Sequence, residues 1–246
     1  MLARIERPSN ALRPFSLVPN IAPNAMGSVL VEYGNTKIIC AVTLEEKTPH
    51  WMKKQGCTHN GWITAEYALL PYATLERKPR ECVSGKRDSR SVEIQRFIGR
   101  SMRAITHFHA LEGHTLWIDC DVLQADGGTR TASVSGAYVA AQLAIHHLLR
   151  EGKLKTNPFM DSVGAVSVGI CDGQALLDLN YAEDSAAEVD LNVVMNGKGH
   201  FIEIQGTAEK TPFSNDQLNT LLDLARVGIE QIQNYQEQFL KNYLPT

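Results

Sequence analysis

TLWIDCDVLQADGGTRTASVSGAYVAAQLAIHHLL, residues 115–149, carries the strongest structural signal in the chain. Its first ten residues are apolar and β-branched with few breaks, which predicts a buried strand. From Ala132 onward the text is Ala-rich, with small residues near its start, and predicts a helix in which His146 and His147 sit on the surface or in the core rather than on a metal. Between them lies Asp126-Gly127-Gly128-Thr129-Arg130-Thr131. Two glycines let the backbone turn its N–H groups toward an anion, and the start of the following helix adds free donors and a partial positive charge. Thr129 and Thr131 contribute hydroxyls, and Arg130 a planar fork suited to phosphate oxygens. The purely structural alternative is a capped turn in which Arg130 pairs with a local carboxylate. Neither GxGxxG nor GxxxxGK[ST] is present, which excludes a dinucleotide fingerprint and a Walker loop.

The flanking text extends the pattern. GSVLVEYGNTKIICAVTLEE (27–46) is two β-rich runs around Gly34-Asn35, a hairpin signal, and GWITAEYALL (61–70) reads as a further strand. SVEIQRFIGRSMRAITHFH (91–109) places Ile94, Phe97, Ile98, Ile105 and Phe108 at helical spacing, opposite Arg96, Arg100 and Arg103. The opening segment to about Asn24 holds four prolines and reads as irregular with short ordered pieces. In the second half, hairpins are expected to turn at Asp172-Gly173 and at Asn196-Gly197, followed by a long amphipathic helix capped by Ser214 or Asn215. Hairpins followed by helices thus occur twice. They predict an α+β protein of two similar lobes sharing a core, 1–150 and 158–246, with a seam near Gly152–Pro158.

Hydrophobic residues make up 43% of the 246 and charged ones 21%, as in ordinary soluble globular proteins. No apolar run is long enough to span a membrane and the N-terminus lacks a secretory core, so a cytoplasmic protein without membrane contact is expected. The five cysteines are scattered without a CxxC pair, against both a disulfide framework and a zinc site, and Cys40, Cys120 and Cys171 fall in strand-like runs as small buried hydrophobes. The histidines form no metal pattern, and no GxSxG elbow is present. A net charge of −3 conceals a local surplus: residues 77–103 carry nine Lys and Arg against three acids. That run is either a solvated helix face or a nucleic-acid footprint.

A second chemical feature is EDSAAEVDLN, 183–192. If extended, it puts Asp184, Glu188 and Asp190 on one strand face, with Val189 and Leu191 on the other. Clustered carboxylates repel unless a cation, an arginine or solvent relieves them. Mg²⁺ would do so, while a solvent-facing acidic edge is the simpler reading of the carboxylates alone. An arginine-rich oxyanion pocket, a carboxylate pair and a basic channel together suit phosphoryl transfer on a polyanion, with inorganic phosphate as the attacking group.

EIQRFIGRSMRA (93–104), IDCDVLQADGGTRTASVSGAYVA (118–140), EDSAAEVDLNVVM (183–195) and IQGTAE (204–209), with GSVLVEYGNTKIIC and GWITAEYALLP, resemble the successive signatures of the RNase PH family, in order and across nearly the whole chain. The resemblance implies the RNase PH fold in both lobes and a homohexameric ring, a trimer of dimers. It implies phosphorolysis from RNA 3′ ends, typically those of tRNA precursors, releasing nucleoside diphosphates, with the reverse reaction adding nucleotides. Carried over, Arg90 and Gly128-Thr129-Arg130 would hold phosphate, Asp184 and Asp190 would serve Mg²⁺ and catalysis together with Arg130, and Arg77 and Arg80 would contact RNA. Arg96, Arg100 and Arg103 would be structural or interface residues. The chain departs from the pattern at Ser89, where Gly is usual, at Tyr72, where Arg is frequent, and at Leu75-Glu76 and Pro79. Tyr72 offers a ring for stacking on a base. The alternative from another class is a catalytically silent RNA-binding or scaffold subunit of an exosome-like ring, against which Arg90, Thr129, Arg130, Asp184 and Asp190 are all retained.

Overall fold

A computed structural model describes residues 4, 7–57, 59–85 and 88–244, with only the backbone of Cys82 and Ser84. Lys86 and Arg87 of the basic run therefore lie outside the described residues. Five strands, β1 (Phe15–Pro19), β2 (Gly27–Tyr33), β3 (Thr36–Glu45), β4 (Trp62–Leu69) and β5 (Thr115–Gln124), form one sheet in the order β1-β2-β3-β5-β4. All neighbours are antiparallel except β4 and β5. The β2–β3 hairpin turns at Gly34, whose φ of +54° suits glycine. Alternation along the strands puts Val29, Val31, Ile38, Cys40, Val42, Ile118, Cys120 and Val122 on the buried face. The expectation of a strand buried on both sides is corrected at β5: Trp117, Asp119 and Asp121 face the half-exposed side.

Short helices α1 (His50–Lys54) and α2 (Glu81–Ser84) lie in the connections around β4, and α3 (Ser89–Ala104) packs against β4. Helix α4 (Thr129–Arg150) lies between the first sheet and the second, so nearly all of its sides are buried. Gly136 makes this possible, because a Cβ there would stand 2.7 Å from both Cys40 Sγ and a Val31 methyl. The small residues of SVSGA are thus what lets helix and sheet approach closely. The second sheet orders β6 (Val163–Cys171), β7 (Gln174–Leu177), β8 (Val189–Asn196) and β9 (Phe201–Ala208) as β7-β6-β8-β9, all antiparallel. Helix α5 (Tyr181–Ala186) follows β7, and α6 (Asn215–Tyr243) packs on this sheet, its first turn closed by a Ser214–Gln217 capping box. One hydrophobic cluster runs through both sheets and α4. Among the described residues no helix is long and apolar enough to cross a membrane.

Two local expectations are corrected. The helix expected over 91–109 ends at Ala104, where the Thr106 hydroxyl donates to Met102 O at 2.7 Å and Thr106 bridges to Phe159 instead of continuing the helix. Phe108 then enters a 3-10 turn and stacks on Trp62, leaving His107 and His109 off the helix. The β8–β9 turn was expected at Asn196-Gly197, but its left-handed residue is Gly199, φ +75°, with the Asn196 side chain accepting from the Lys198 and His200 N–H groups.

The proline-rich opening segment contributes more than an edge strand. Arg13 Nη2 lies 2.7 Å from Asp178 Oδ1, and its Nε and backbone N–H both donate to Oδ2, at 3.0 and 2.7 Å. Arg7 also pairs with Asp178, and Arg4 with Glu183. Burial would raise the Asp178 pKa, but the hydrogen bonds and charge of Arg13 outweigh it and hold the carboxyl below its ordinary value. A depressed carboxyl stabilises the fold above its unfolded pKa, and that contribution is lost as pH falls through the folded value. Asp178→Asn leaves Arg13 buried without its counter-charge and is expected to cost about 3–5 kcal/mol in urea unfolding at pH 7. The loss should narrow progressively under acid, and a loss independent of pH would contradict the ion-pair account.

Candidate functional site

β5 delivers the chain into the Asp126-Gly127-Gly128 turn, and both glycines are left-handed, at φ +72° and +67°. Gly128 is the N-cap of α4, and the first intrahelical bond runs from Ala132 N–H to Gly128 O at 3.0 Å. The N–H groups of Thr129, Arg130 and Thr131 therefore precede the helix ladder and face its positive end. The turn is fixed from three sides. Arg13 donates to Asp126 O, Thr36 donates its hydroxyl to Gly127 O at 2.7 Å, and Asp126 Oδ1 accepts from Tyr181 N–H at 3.2 Å. Gly127 also lies against the segment before α5, where a Cβ would come within 2.4 Å of Leu179 O.

Beside this turn opens a cleft of about 620 Å³, a size usual for ligand sites. Of the residues singled out in the sequence, Arg77, Arg90, Gly127, Gly128, Thr129 and Asp184 line it, as do the departures Leu75, Glu76 and Pro79; Lys78, Tyr181 and Ser185 join them. Arg130, Arg80, Tyr72 and Asp190 do not. Arg90 stands in the first turn of α3, where its N–H caps onto Asp88, and its guanidinium has no ion pair among the described residues. Ser89 begins α3 in helical conformation, so the family's usual glycine is not required at this position. Tyr67, absent from the sequence candidates, donates to Thr129 Oγ1 at 2.9 Å, leaving the threonine proton free to donate in turn. Burial pushes the Tyr67 pKa up and keeps it a neutral donor.

The expected extended acidic strand is corrected. Asp184 is on α5, whose first turn is closed by an Asn180–Glu183 capping box, and only Glu188's neighbours Val189 and Asp190 begin β8. The two aspartates nevertheless share one field. Burial raises the pKa of Asp184, while Arg90, Arg130 and Arg13 oppose it. Burial likewise raises Asp190, with repulsion from Asp184 and Glu209 adding to it. Arg130 turns its Nη1 to Glu93 Oε1 at 3.0 Å and to Gln205 Oε1 at 2.7 Å, so the carboxylate-paired arrangement weighed for it is present. Its charge still acts on both aspartates. Among the described residues no group of three His, Cys, Asp or Glu is arranged to hold a metal by itself.

A family model described as 3′ exoribonuclease family, domain 1, matches residues 11–145, and the domain 2 model of the same family matches residues 161–228. The chain belongs to the RNase PH family of 3′ exoribonucleases. Solved structures share the fold at low identity. Rice (Oryza sativa) Rrp46 is similar with a TM-score of 0.78 at 18% identity, covering 96% of this chain and 98% of that one. The Archaeoglobus fulgidus exosome with RNA bound to its active site gives 0.75 at 20%, covering 93% and 90%. An archaeal exosome core gives 0.75 at 20%, covering 94% and 89%.

Within this RNase PH fold, sequence reasoning missed Arg13, Asp178, Tyr67 and Tyr181. Arg13 lies among prolines and Asp178 adopts a left-handed φ of +56°, neither of which a period-based reading marks. The Tyr67 hydroxyl could have been sought within the AEYALLP motif itself. The contact of the turn with the α5 approach gives a direct comparison. Gly173→Ala, in open space at φ +74°, should cost about 1–2 kcal/mol. Gly127→Ala should cost more than that, because its new methyl meets backbone. Thermal unfolding of the two variants tests the difference, and equal losses would show that the contact carries no weight.

Proposed function

We propose that this chain is a phosphate-dependent 3′→5′ exoribonuclease. The observation that carries the reading is the joining, in one cleft, of Arg90, which has no ion pair among the described residues, the Gly128–Thr129 start of α4 and Asp184. Inorganic phosphate bound by Arg90, the first-turn N–H groups and Thr129 attacks the terminal phosphodiester of RNA. The P–O bond to the penultimate 3′ oxygen breaks, giving a nucleoside diphosphate and an RNA one residue shorter with a free 3′ hydroxyl. Addition of nucleotides from diphosphates is the same step reversed. Arg77 and Lys78, at the cleft wall, contact the incoming RNA backbone, with Arg80 beyond them.

The donor set fits Mg²⁺. Asp184 and Asp190 are two half-buried carboxylates, each raised by burial, with Asp184 further raising Asp190. A hard cation held by one or two carboxylates, its remaining positions filled by water and substrate phosphates, relieves that repulsion. When bound it would neutralise charge on the phosphoryl group in transfer. Arg130, tied to Glu93 and Gln205, positions its charge beside the aspartates. The 3′ ends of tRNA precursors are the proposed substrates, a homohexameric trimer of dimers the proposed assembly and the cytoplasm the proposed compartment.

A second reading, a silent RNA-binding or scaffold subunit of an exosome-like ring, is favoured by the engagement of Arg130 by Glu93 and by the archaeal exosomes among the fold's neighbours. One assay separates the two. Purified protein with 3′-extended tRNA and Mg²⁺ should release nucleoside diphosphates only when phosphate is added. Monophosphates would overturn phosphorolysis, and RNA binding without any product would favour the scaffold. In the active case Asp184→Asn should lower kcat/KM by about a hundredfold or more, ~2.7 kcal/mol of barrier. Arg130→Ala, which removes a charge acting on both aspartates, should mainly lower kcat and leave the KM for phosphate little changed, and full activity in Asp190→Ala would remove it from the metal site.

A further inference from the structure

The groups assigned above handle phosphate and metal, and none of them holds the base of the nucleotide being removed. The cleft wall nevertheless carries an aromatic ring. Tyr181 lines it together with Arg90, Gly128, Thr129 and Asp184, and is 57% exposed. Among the described residues its ring stacks on no other aromatic, and its hydroxyl has no hydrogen-bond partner. Tyr72, the aromatic suggested by sequence, is 67% exposed but lies outside the cleft lining.

Tyr181 is also held in place. Its N–H donates to Asp126 Oδ1, the Asn180–Glu183 capping box fixes the turn it begins, and Gly127 packs against the residues just before it. The ring is therefore carried on a backbone tied to the turn that starts α4. Tyr181 and Asp184 are three positions apart on α5, a spacing that places side chains on one helix face about 5–6 Å apart at Cβ. Both residues line the same cleft, so a base against the ring and its phosphate near the carboxylate can belong to one nucleotide. Leu75, 98% exposed, contributes apolar surface to the same lining.

We propose that Tyr181 is the stacking platform for the 3′-terminal nucleobase, holding the scissile nucleotide so that its phosphodiester lies at Asp184 and the α4 N-terminus. The proposal rests on the phosphorolytic reading and names its base subsite. A π-face accepts any base, so the subsite gives tight holding with little sequence preference. The diphosphate substrate of the reverse reaction occupies the same platform.

The test compares an oligoribonucleotide ending in adenosine with one whose 3′-terminal nucleotide is abasic, using wild type, Tyr181→Phe and Tyr181→Ala, the last two checked for native circular dichroism. Equilibrium binding is followed by fluorescence anisotropy and turnover by diphosphate or ribose-diphosphate release. Wild type and Tyr181→Phe should prefer the intact terminus by about five- to a hundredfold, the range that base–aromatic stacking covers. Tyr181→Ala should lose that preference by weakening on the intact RNA while matching wild type on the abasic one. If Tyr181→Ala keeps the wild-type preference, or weakens equally on both RNAs, the platform is overturned. Absence of any phosphate-dependent product from wild type would instead fail the phosphorolytic reading, and the binding comparison would still decide whether Tyr181 holds a base.

Discussion

Arg13 reaches from the segment leading into β1 to the carboxylate of Asp178, just after β7, and continues to the carbonyls of Asp126 and Gly127. One side chain thus joins the N-terminal segment, the second sheet and the glycine turn. The pair is 8% and 2% exposed at its side chains, so both charges are removed from water. Desolvation makes such a pair a weak source of net stability, whereas breaking it is costly. Its consequence here is positional. With Arg13 filled on one side by Asp178 and on the other by the turn, the start of α4 and the approach to α5 have one relative placement, and the cleft between them has one shape.

The charge distribution follows the same division of labour. Arg100 pairs with Glu203 on β9, and Arg103 donates to Ile63 O and lies 4.9 Å over the Trp62 ring. Those two arginines of the basic run therefore join α3 to its neighbours. Arg77, Lys78 and Arg90, which come before or at the start of α3, have no ion pairs among the described residues and line the cleft. A chain with net charge −3 can in this way present a locally positive wall to a polyanion, since Arg77, Lys78 and Arg90 stand in one cleft against Glu76 and Asp184.

Much of this was legible in the sequence. The β2–β3 and β6–β7 hairpins, the strand–turn–helix at 115–149 and the closing helix appear where period and the Gly34-Asn35 and Asp172-Gly173 turns indicate them, since such signals depend on neighbours a few residues away. The helix over 91–109 was overextended because Ile105 and Phe108 keep the helical period, while a hydroxyl cap and a bridge to Phe159 decide its end. Asp184 was set on a strand with Asp190 because alternation alone cannot register the capping box that winds α5.

By itself the sequence determined most of the elements, the family and the candidate site residues: Arg90, the Gly128–Thr129 turn and the two aspartates. The tertiary structure decided which of these meet. It brought Arg90, Thr129 and Asp184 into one cleft, turned Arg130 toward Glu93 and Gln205, left Tyr72 outside and set Tyr181 within. It also assigned Arg13 and Asp178, separated by 165 positions, to a single buried pair. The physical reason is range. Backbone propensity and side-chain periodicity act along a few residues, whereas the pairing of buried charges and the aim of a guanidinium are settled only when distant segments exclude water together.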